Sequence, residues 1–197
     1  MEASRGKAIA GWHHPMHGSI FLQLQHYVTA YHGAAAWPEL MRAANVPEQT
    51  YLPSDAYPDW EAVALLHCAA FLWHQPYPEF LENFGEYMTP WLMELYAPLI
   101  PETWGTLELL LNTEETIHTV VRATTPGARP PRLLFTQTGP NRLRFVYDSP
   151  RGLAGLARGI IQGVASHYGD RVEVRETRRA GGGAEMDIQI LPREEAR

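Results

Sequence analysis

The sequence predicts a domain of the α+β class, in which helices come first and strands follow. Over residues 19–123, apolar side chains recur at the three- and four-residue spacing of amphipathic helices. After residue 131 the pattern changes to two pairs of short apolar segments that flank one apolar helix. With 197 residues, 45% of them hydrophobic, the chain is long enough to bury a core without disulfide bonds.

Five helical segments are predicted in the first two thirds of the chain. They cover residues 19–33, 34–44, 59–73, 79–97 and 106–123, with a proline-rich loop at 45–58. Ser19 is a suitable N-cap for the first helix, and Gly33 ends it. Pro90 is expected to kink or divide the fourth helix. Asn112, with Glu115 three residues later, resembles a capping box that would restart the fifth helix.

Two hairpins and one helix are predicted in the last third of the chain. The strands cover 132–138, 142–149, 171–177 and 184–191, and the helix covers 152–168. The connections Gly139-Pro140-Asn141 and Gly181-Gly182-Gly183 are rich in the residues that tight turns need. Strands that pair through tight turns are antiparallel, so an antiparallel sheet is expected.

Charge and cysteine content exclude several classes of protein. Sixteen Lys and Arg against 22 Asp and Glu give a net charge of −6, so neither nucleic acid nor an anionic membrane is an expected partner. One cysteine, Cys68, cannot supply a disulfide framework, a cysteine-rich zinc site or an iron–sulfur cluster. No apolar run reaches the roughly 18 residues of a membrane span, and residues 1–15 lack the apolar core of a signal peptide, which favours the cytoplasm.

No combination of residues predicts a catalytic centre. His67 and Cys68 are neighbours, but adjacent side chains on a helix diverge by about 100°. His13 and His17 have the four-residue spacing of a helical metal pair, yet they lie in a segment flanked by glycine and proline. The sequence contains no nucleophile elbow, P-loop or dinucleotide-binding motif. We therefore expect a protein without enzymatic activity of its own.

His118 differs from the other histidines because of the residues downstream of it. Taken alone, it is a structural histidine in an apolar helix, but Pro131 lies 13 residues later. Sixteen residues beyond Pro131 begins a segment in which Tyr147, Ser149 and Arg151 alternate and so share one face. An ordinary edge strand is the alternative interpretation, yet two hydroxyls and a guanidinium also form a clamp for a carboxylate. An imidazole with such a clamp suits haem, whose iron takes the imidazole and whose propionates take the clamp.

These residues resemble the haem–nitric oxide/oxygen-binding family, the sensor domain found in soluble guanylate cyclase and in stand-alone bacterial proteins. His118 matches the family's proximal histidine, and Pro131 matches a proline that packs against the haem and distorts it. Tyr147, Ser149 and Arg151 match the family's propionate motif, Tyr-x-Ser-x-Arg. Other similar segments are Met16-His17-Gly18-Ser19-Ile20, Phe84-Gly85-Glu86-Tyr87, 107–118, 152–153, 159–161 and 167–174.

The resemblance covers about residues 16–191 and implies a two-part domain with haem b, iron protoporphyrin IX, between the parts. A helical part, about residues 16–125, packs on a part that contains a four-stranded antiparallel sheet, about residues 126–191. Residues 1–15 are then a disordered N-terminal extension, and residues 192–197 are a tail.

The resemblance also implies an apolar distal pocket opposite His118. The sequence shows no evident hydrogen-bond partner for the second ring nitrogen of His118. The residues expected on the apolar walls are Ile20, Leu24, Phe84 and Leu156. Leu156 stands where oxygen-binding members carry a tyrosine. Because bound oxygen needs a hydrogen-bond donor and nitric oxide does not, Leu156 favours nitric oxide, and also carbon monoxide, over oxygen. A hydroxyl from elsewhere, such as that of Tyr27 or Tyr87, would reverse this preference.

A haem-based gas sensor is therefore the expected function. In many members of the family, nitric oxide weakens or breaks the bond between the iron and the proximal histidine, and the two parts of the domain shift. Because the chain ends soon after the sheet, a separate signalling protein, such as a histidine kinase or a cyclic-nucleotide enzyme, is expected to receive the change. One alternative is a haem-free binding or interaction module on the same fold. Another is a haem enzyme such as a peroxidase, which the lack of acid–base residues in an apolar pocket disfavours.

Overall fold

Helices make up the first two thirds of the described chain and a sheet the last third, which confirms the predicted α+β class. The computed structural model describes residues 15–126, 129–178 and 183–191. Except for Pro15, the predicted extension at 1–15 and the predicted tail at 192–197 lie outside these residues. The helices are α1 (Gly18–His32), α2 (Ala36–Ala43), α3 (Asp59–Leu72), α4 (Tyr77–Tyr96), α5 (Thr106–Thr113), α6 (Thr119–Thr124) and α7 (Ala154–His167), with a 3-10 turn at Ala97–Leu99 and a π-helical segment at Glu114–His118 that joins α5 to α6.

The strands form one four-stranded antiparallel sheet and one short ribbon. They are β1 (Met16–His17), β2 (Ala56–Tyr57), β3 (Arg132–Gly139), β4 (Arg142–Asp148), β5 (Arg171–Arg178) and β6 (Ala184–Leu191). The sheet order is β3-β4-β6-β5, which confirms both predicted hairpins and makes β3 an edge strand. Gly181 and Gly182 of the second predicted turn lie outside the described residues. The ribbon of β1 and β2 was not predicted, because two residues are too few to show a periodicity.

Two predicted helix caps differ from those in the structure. His17, and not Ser19, caps α1: its Nδ1 accepts a hydrogen bond from the Ser19 N–H at 3.3 Å, so the helix begins at Gly18. Asn112 does not restart the fifth helix, because its side chain donates to the Glu108 carbonyl within the same helix. The Glu108 carboxylate instead accepts the Gly105 N–H at 3.0 Å and caps the start of α5. Gly33 ends α1 as expected, with a positive φ of 85°.

Helices α4 and α7 pack closely because glycines face the opposite backbone. A Cβ atom added at Gly159 would lie 2.1 Å from the Glu82 carbonyl oxygen, and one at Gly85 would lie 2.5 Å from the Leu156 carbonyl oxygen. Either distance is far below van der Waals contact, so a side chain at these positions would push the helices apart. Pro90 does not divide α4, which runs without a break from Tyr77 to Tyr96.

A single apolar core joins the helices to the inner face of the sheet. Its fully buried side chains include Phe21, Leu24, Phe80, Phe84, Met88 and Phe145. None of the helices in the described part of the chain combines the length and the hydropathy of a membrane span.

Candidate ligand-binding site

A ligand-sized cavity opens between the helices and the sheet. Its volume is about 220 Å³, whereas one water molecule needs only about 10–15 Å³. Residues of α1, α4, α5, α7, β3 and β4 line it, and most of them are apolar. The apolar part of the wall includes Ile20, Met88, Leu109, Phe145, Leu156 and Ile160. A mostly apolar wall with a few polar groups is typical of sites that bind a hydrophobic molecule.

Most of the site residues predicted from the sequence lie on this wall. Those that line the cavity are Ile20, His118, Pro131, Tyr147, Arg151 and Leu156. Ser149 is buried and does not line the cavity, but its Oγ accepts a hydrogen bond from the Arg151 N–H at 3.3 Å. The fold therefore brings the predicted iron ligand, the predicted clamp and the predicted distal leucine to one place, although they come from different segments of the chain.

Leu24 and Phe84 are placed differently from the prediction. Both are fully buried in the core, and neither lines the cavity. Met88, one turn beyond Phe84 on α4, faces the cavity instead. Residues four apart share one face of a helix, so the hydrophobic period cannot tell which turn lies against the cavity and which against the core.

The tyrosines considered as alternative distal donors lie away from the cavity wall. Tyr27 and Tyr87 pack against each other with ring centroids 5.1 Å apart, and Tyr27 also contacts Phe80 and Phe84. Neither tyrosine is among the lining residues. Thr89 does line the cavity, but its hydroxyl donates to the Gly85 carbonyl at 2.8 Å. Among these three hydroxyls, none is therefore directed at the space beside Leu156.

His118 ends the π-helical segment and turns its ring into the cavity wall. Its Nδ1 lies 2.9 Å from Oε2 of Glu114. An ionised carboxylate only accepts hydrogen bonds, so Nδ1 carries the proton and the lone pair is on Nε2. This tautomer leaves Nε2 able to bind a metal, with a carboxylate behind the ring. Burial lowers the pKa of His118, against the opposing effects of Glu114 and the Pro131 backbone, and this keeps the ring neutral.

Glu114 is a partner of His118 that the sequence pattern did not reveal. Besides the imidazole, its Oε2 accepts the Leu133 N–H of β3 at 3.1 Å, and its Oε1 accepts from Arg122 of α6 at 2.9 Å. Burial alone would raise the pKa of Glu114, but the hydrogen bonds from Leu133, His118 and Arg122 lower it below its ordinary value. The carboxylate therefore stays ionised. The four-residue spacing of Glu114 and His118 was the available signal, since such pairs are neighbours on a helix.

The structure brings Tyr147, Ser149 and Arg151 together, and the carboxylate of Asp59 lies beside Arg151. Burial raises the pKa of Tyr147, which therefore keeps its proton, and its side chain hydrogen bonds with Ser149. Arg151 lies on the cavity wall, and its Nε donates to Oδ2 of Asp59 at 3.3 Å. Asp59 begins α3, 92 residues away in sequence, so no local pattern could have revealed it. A guanidinium has five N–H donors and can serve both this carboxylate and a second anion.

The residues present fit haem. The wall offers a neutral imidazole with its Nδ1 engaged by Glu114, broad apolar surfaces and a buried guanidinium with a neighbouring phenol. These are the groups that an iron, a flat macrocycle and its propionates require. Among the described residues, no group of three or more histidine, cysteine, aspartate or glutamate side chains could hold a bare metal ion.

Comparison with known proteins gives one family. The profile of the family described as "Haem-NO-binding" matches residues 17–176. Comparison with curated protein sequences gives no match. An H-NOX protein from S. oneidensis in the Fe(II)NO ligation state is similar in structure, with 20% identity, a TM-score of 0.82 and coverage of 89% of this chain and 99% of that one.

Two further solved structures have the same fold. The Fe(II) unliganded H-NOX protein from K. algicida is 19% identical, with a TM-score of 0.82 and coverage of 92% of this chain and 100% of that one. A mutant of the T. tengcongensis H-NOX is 16% identical, with a TM-score of 0.77 and coverage of 92% and 100%. At these identities the likeness concerns the fold, whereas the family profile concerns the sequence.

Proposed function

This chain belongs to the haem-NO-binding family of haem-based gas-sensor domains, and from that membership we propose that it senses nitric oxide and relays a conformational change to a separate signalling protein. Domains of this family are sensors and not themselves enzymes. The sensor domain spans residues 16–191, with a helical part at 16–125 and a sheet-containing part at 126–191. The observation that carries the proposal is the neutral His118 on the cavity wall, with its Nδ1 proton directed at a carboxylate.

Haem b is the proposed cofactor, and it would supply a ferrous iron that binds a diatomic gas. His118 would hold the iron through Nε2, because Nδ1 is engaged by Glu114. Arg151 and Tyr147 would hold the propionates, with Ser149 hydrogen bonded to both residues. Pro131 lies on the same wall and would pack against the macrocycle.

Nitric oxide is the proposed ligand, and carbon monoxide would bind for the same reason. Leu156 lies on the cavity wall and has no side-chain group that donates a hydrogen bond. Tyr27 and Tyr87 pack elsewhere, and Thr89 is engaged with its own helix. Oxygen needs a hydrogen-bond donor for stable binding, and nitric oxide does not. An apolar surface beside the iron therefore favours the binding of nitric oxide over that of oxygen.

The proposed output is a movement of the segment that carries His118, received by a partner such as a histidine kinase or a cyclic-nucleotide enzyme. His118 lies between α5 and α6 and is linked through Glu114 to β3. A ligand that binds better when His118 is released would shift the protein towards the released arrangement, by no more than its difference in affinity for the two.

Haemin titration of the apoprotein, followed by absorption spectroscopy, tests this proposal. His118→Ala is expected to lose the histidine-ligated ferrous spectrum or to lose haem altogether. His26→Ala is the matched control, because His26 is exposed on α1 and does not line the cavity. An unchanged ferrous spectrum in His118→Ala would remove His118 as the ligand. Failure of both variants and of the unmodified protein to take up haemin would instead favour a haem-free binding module.

A further inference from the structure

Glu114 connects a π-helical segment, an α-helix and a strand through hydrogen bonds to one carboxylate. It is the first residue of the π-helical segment, and His118 is the last. One carboxylate oxygen, Oε2, is shared between Nδ1 of His118 at 2.9 Å and the Leu133 N–H of β3 at 3.1 Å. The other oxygen, Oε1, binds Arg122 of α6 at 2.9 Å. A change in the position of the imidazole therefore acts directly on a backbone amide of the sheet.

The amide at the far end of this link belongs to an edge strand. Among the described strands, β3 pairs only with β4, so an N–H on its other side has no described strand to bind. The Glu114 carboxylate takes the Leu133 N–H in place of a strand. Leu133 lies directly across the ladder from Tyr147, one of the proposed propionate ligands. The chain of contacts thus runs from His118 through Glu114 and Leu133 to the clamp.

From this geometry we infer that Glu114 is the positioning residue that couples His118 to the sheet and sets the strength of the bond between His118 and iron. This inference rests on the proposed function and adds the route by which release of His118 reaches β3. A carboxylate that accepts the Nδ1 proton makes the imidazole a stronger ligand through Nε2. When the imidazole moves, the shared oxygen Oε2 is left to the Leu133 N–H alone, so the hydrogen bond at β3 changes in the same event.

The contact between Glu114 and His118 differs from an exposed ion pair in its burial, and from a purely structural one in the elements that it joins. Glu114 has 23% of its side chain exposed and His118 has 15%, so water screens this contact much less than a surface pair. The hydrogen bonds to Glu114 come from a π-helical segment, an α-helix and a strand, and a helix-only role would not need the third. π-helical segments of one turn occur mostly inside α-helices and often at functional sites.

Glu114→Gln tests the inference, with Glu115→Gln as the matched control. Glu115 is the next residue of the same segment and is exposed. Two measurements apply: the iron–histidine stretching frequency of the ferrous protein, by resonance Raman spectroscopy, and the hydrogen exchange rate of the Leu133 amide, by NMR. The second is made in the haem-free protein, in the ferrous protein and after addition of nitric oxide.

In Glu114→Gln, the stretching frequency is expected to fall, and the Leu133 amide of the haem-free protein is expected to exchange about tenfold faster, since it loses a hydrogen bond to a charged group. Nitric oxide is expected to change the exchange of this amide in the unmodified protein and in Glu115→Gln, but not in Glu114→Gln. Glu114→Asp keeps the charge on a shorter side chain. Its stretching frequency and its Leu133 exchange rate are expected to lie between those of the unmodified protein and those of Glu114→Gln.

Two outcomes would overturn the inference, and they are distinguishable. If the unmodified protein responds to nitric oxide and Glu114→Gln shows the same frequency and the same response at Leu133, the coupling does not run through Glu114 and the proposed function stands. If the unmodified protein binds haem but shows no response to nitric oxide, the proposed function fails and the coupling fails with it.

Discussion

The two walls of the cavity are built in opposite ways. On one side, α4 and α7 meet through glycines, where a single added carbon atom would lie 2.1 Å from the Glu82 carbonyl oxygen. On the other side, His118 sits in a π-helical segment held to its surroundings by hydrogen bonds to one carboxylate, that of Glu114. Backbones in direct contact cannot shift without a clash, whereas hydrogen bonds can exchange partners. The α4–α7 wall is thus suited to fixing the shape of the pocket, and the His118 segment to changing position.

The largest effect is expected from breaking the close contact of α4 and α7. Gly159→Ala would force the two helices apart and is expected to lower the free energy of unfolding by at least about 3 kcal/mol. Gly139→Ala is the control, because a Cβ there would meet its nearest neighbour, Cβ of Arg142, at an ordinary 3.5 Å. Chemical denaturation measures both. Equal stability of the two variants would show that the α4–α7 contact is more yielding than its geometry indicates.

The buried ion pair at the clamp is expected to give the next largest effect. Asp59→Ala would leave Arg151, which is only 7% exposed, without its carboxylate. Because Nη1 of Arg151 keeps its hydrogen bond to the Arg129 carbonyl at 2.9 Å, the loss in the free energy of unfolding is expected to be about 3 kcal/mol, the lower end for such a pair. Glu185→Ala, which removes a partner of the half-exposed Arg144, is expected to cost less than about 1 kcal/mol. A small loss in the free energy of unfolding of Asp59→Ala would mean that the region of Arg151 can change position, as the His118 segment can, and is not fixed like the α4–α7 wall.

Leu156→Tyr is expected to change ligand preference with little effect on stability, because the side chain faces a cavity with space for a ring. The added hydroxyl would supply the donor that bound oxygen needs, so oxidation of the ferrous protein in air is expected to slow. Leu156→Phe adds the ring without the hydroxyl and isolates its effect. Absorption spectra followed in air give the rates. Equal rates for the two variants would mean that position 156 does not face the bound gas.

The smallest effect concerns the cap of α1 beside the cavity. His17→Ala is expected to cost about 1 kcal/mol in the free energy of unfolding, since the Ser19 N–H loses its acceptor. Burial lowers the pKa of His17 from 6.5, so folding favours the neutral ring. The contribution is therefore complete above 6.5, and it declines as the pH falls below 6.5 and the unfolded chain binds a proton.

Chemical denaturation about one pH unit above 6.5 and about one below it measures the free energy of unfolding and checks the prediction for His17. The difference in stability between the unmodified protein and His17→Ala should be smaller at the lower pH. The same difference at both pH values would mean that the neutral ring is not the cap.

The sequence is sufficient for the main helices and the two hairpins, but not for the contacts between distant parts. The hairpins follow from apolar segments around Gly139, and the helices follow from local periodicity, because both signals lie within a few residues of the element they describe. Asp59 and Arg151 are 92 residues apart, and nothing local couples them. Glu114 and His118 are four apart, which is visible in the sequence, but the contact of Glu114 with Leu133 depends on how α5 meets the sheet.

The most direct test of the sensor function is the absorption spectrum of the purified, haemin-reconstituted and dithionite-reduced protein, recorded without oxygen before and after nitric oxide. We expect the spectrum of a five-coordinate, histidine-ligated ferrous haem that changes on addition of nitric oxide and shows no stable change with oxygen. A protein that stays colourless after incubation with haemin would contradict this expectation. The fold would then stand without the sensor, and a haem-free binding module would become the better interpretation of the cavity.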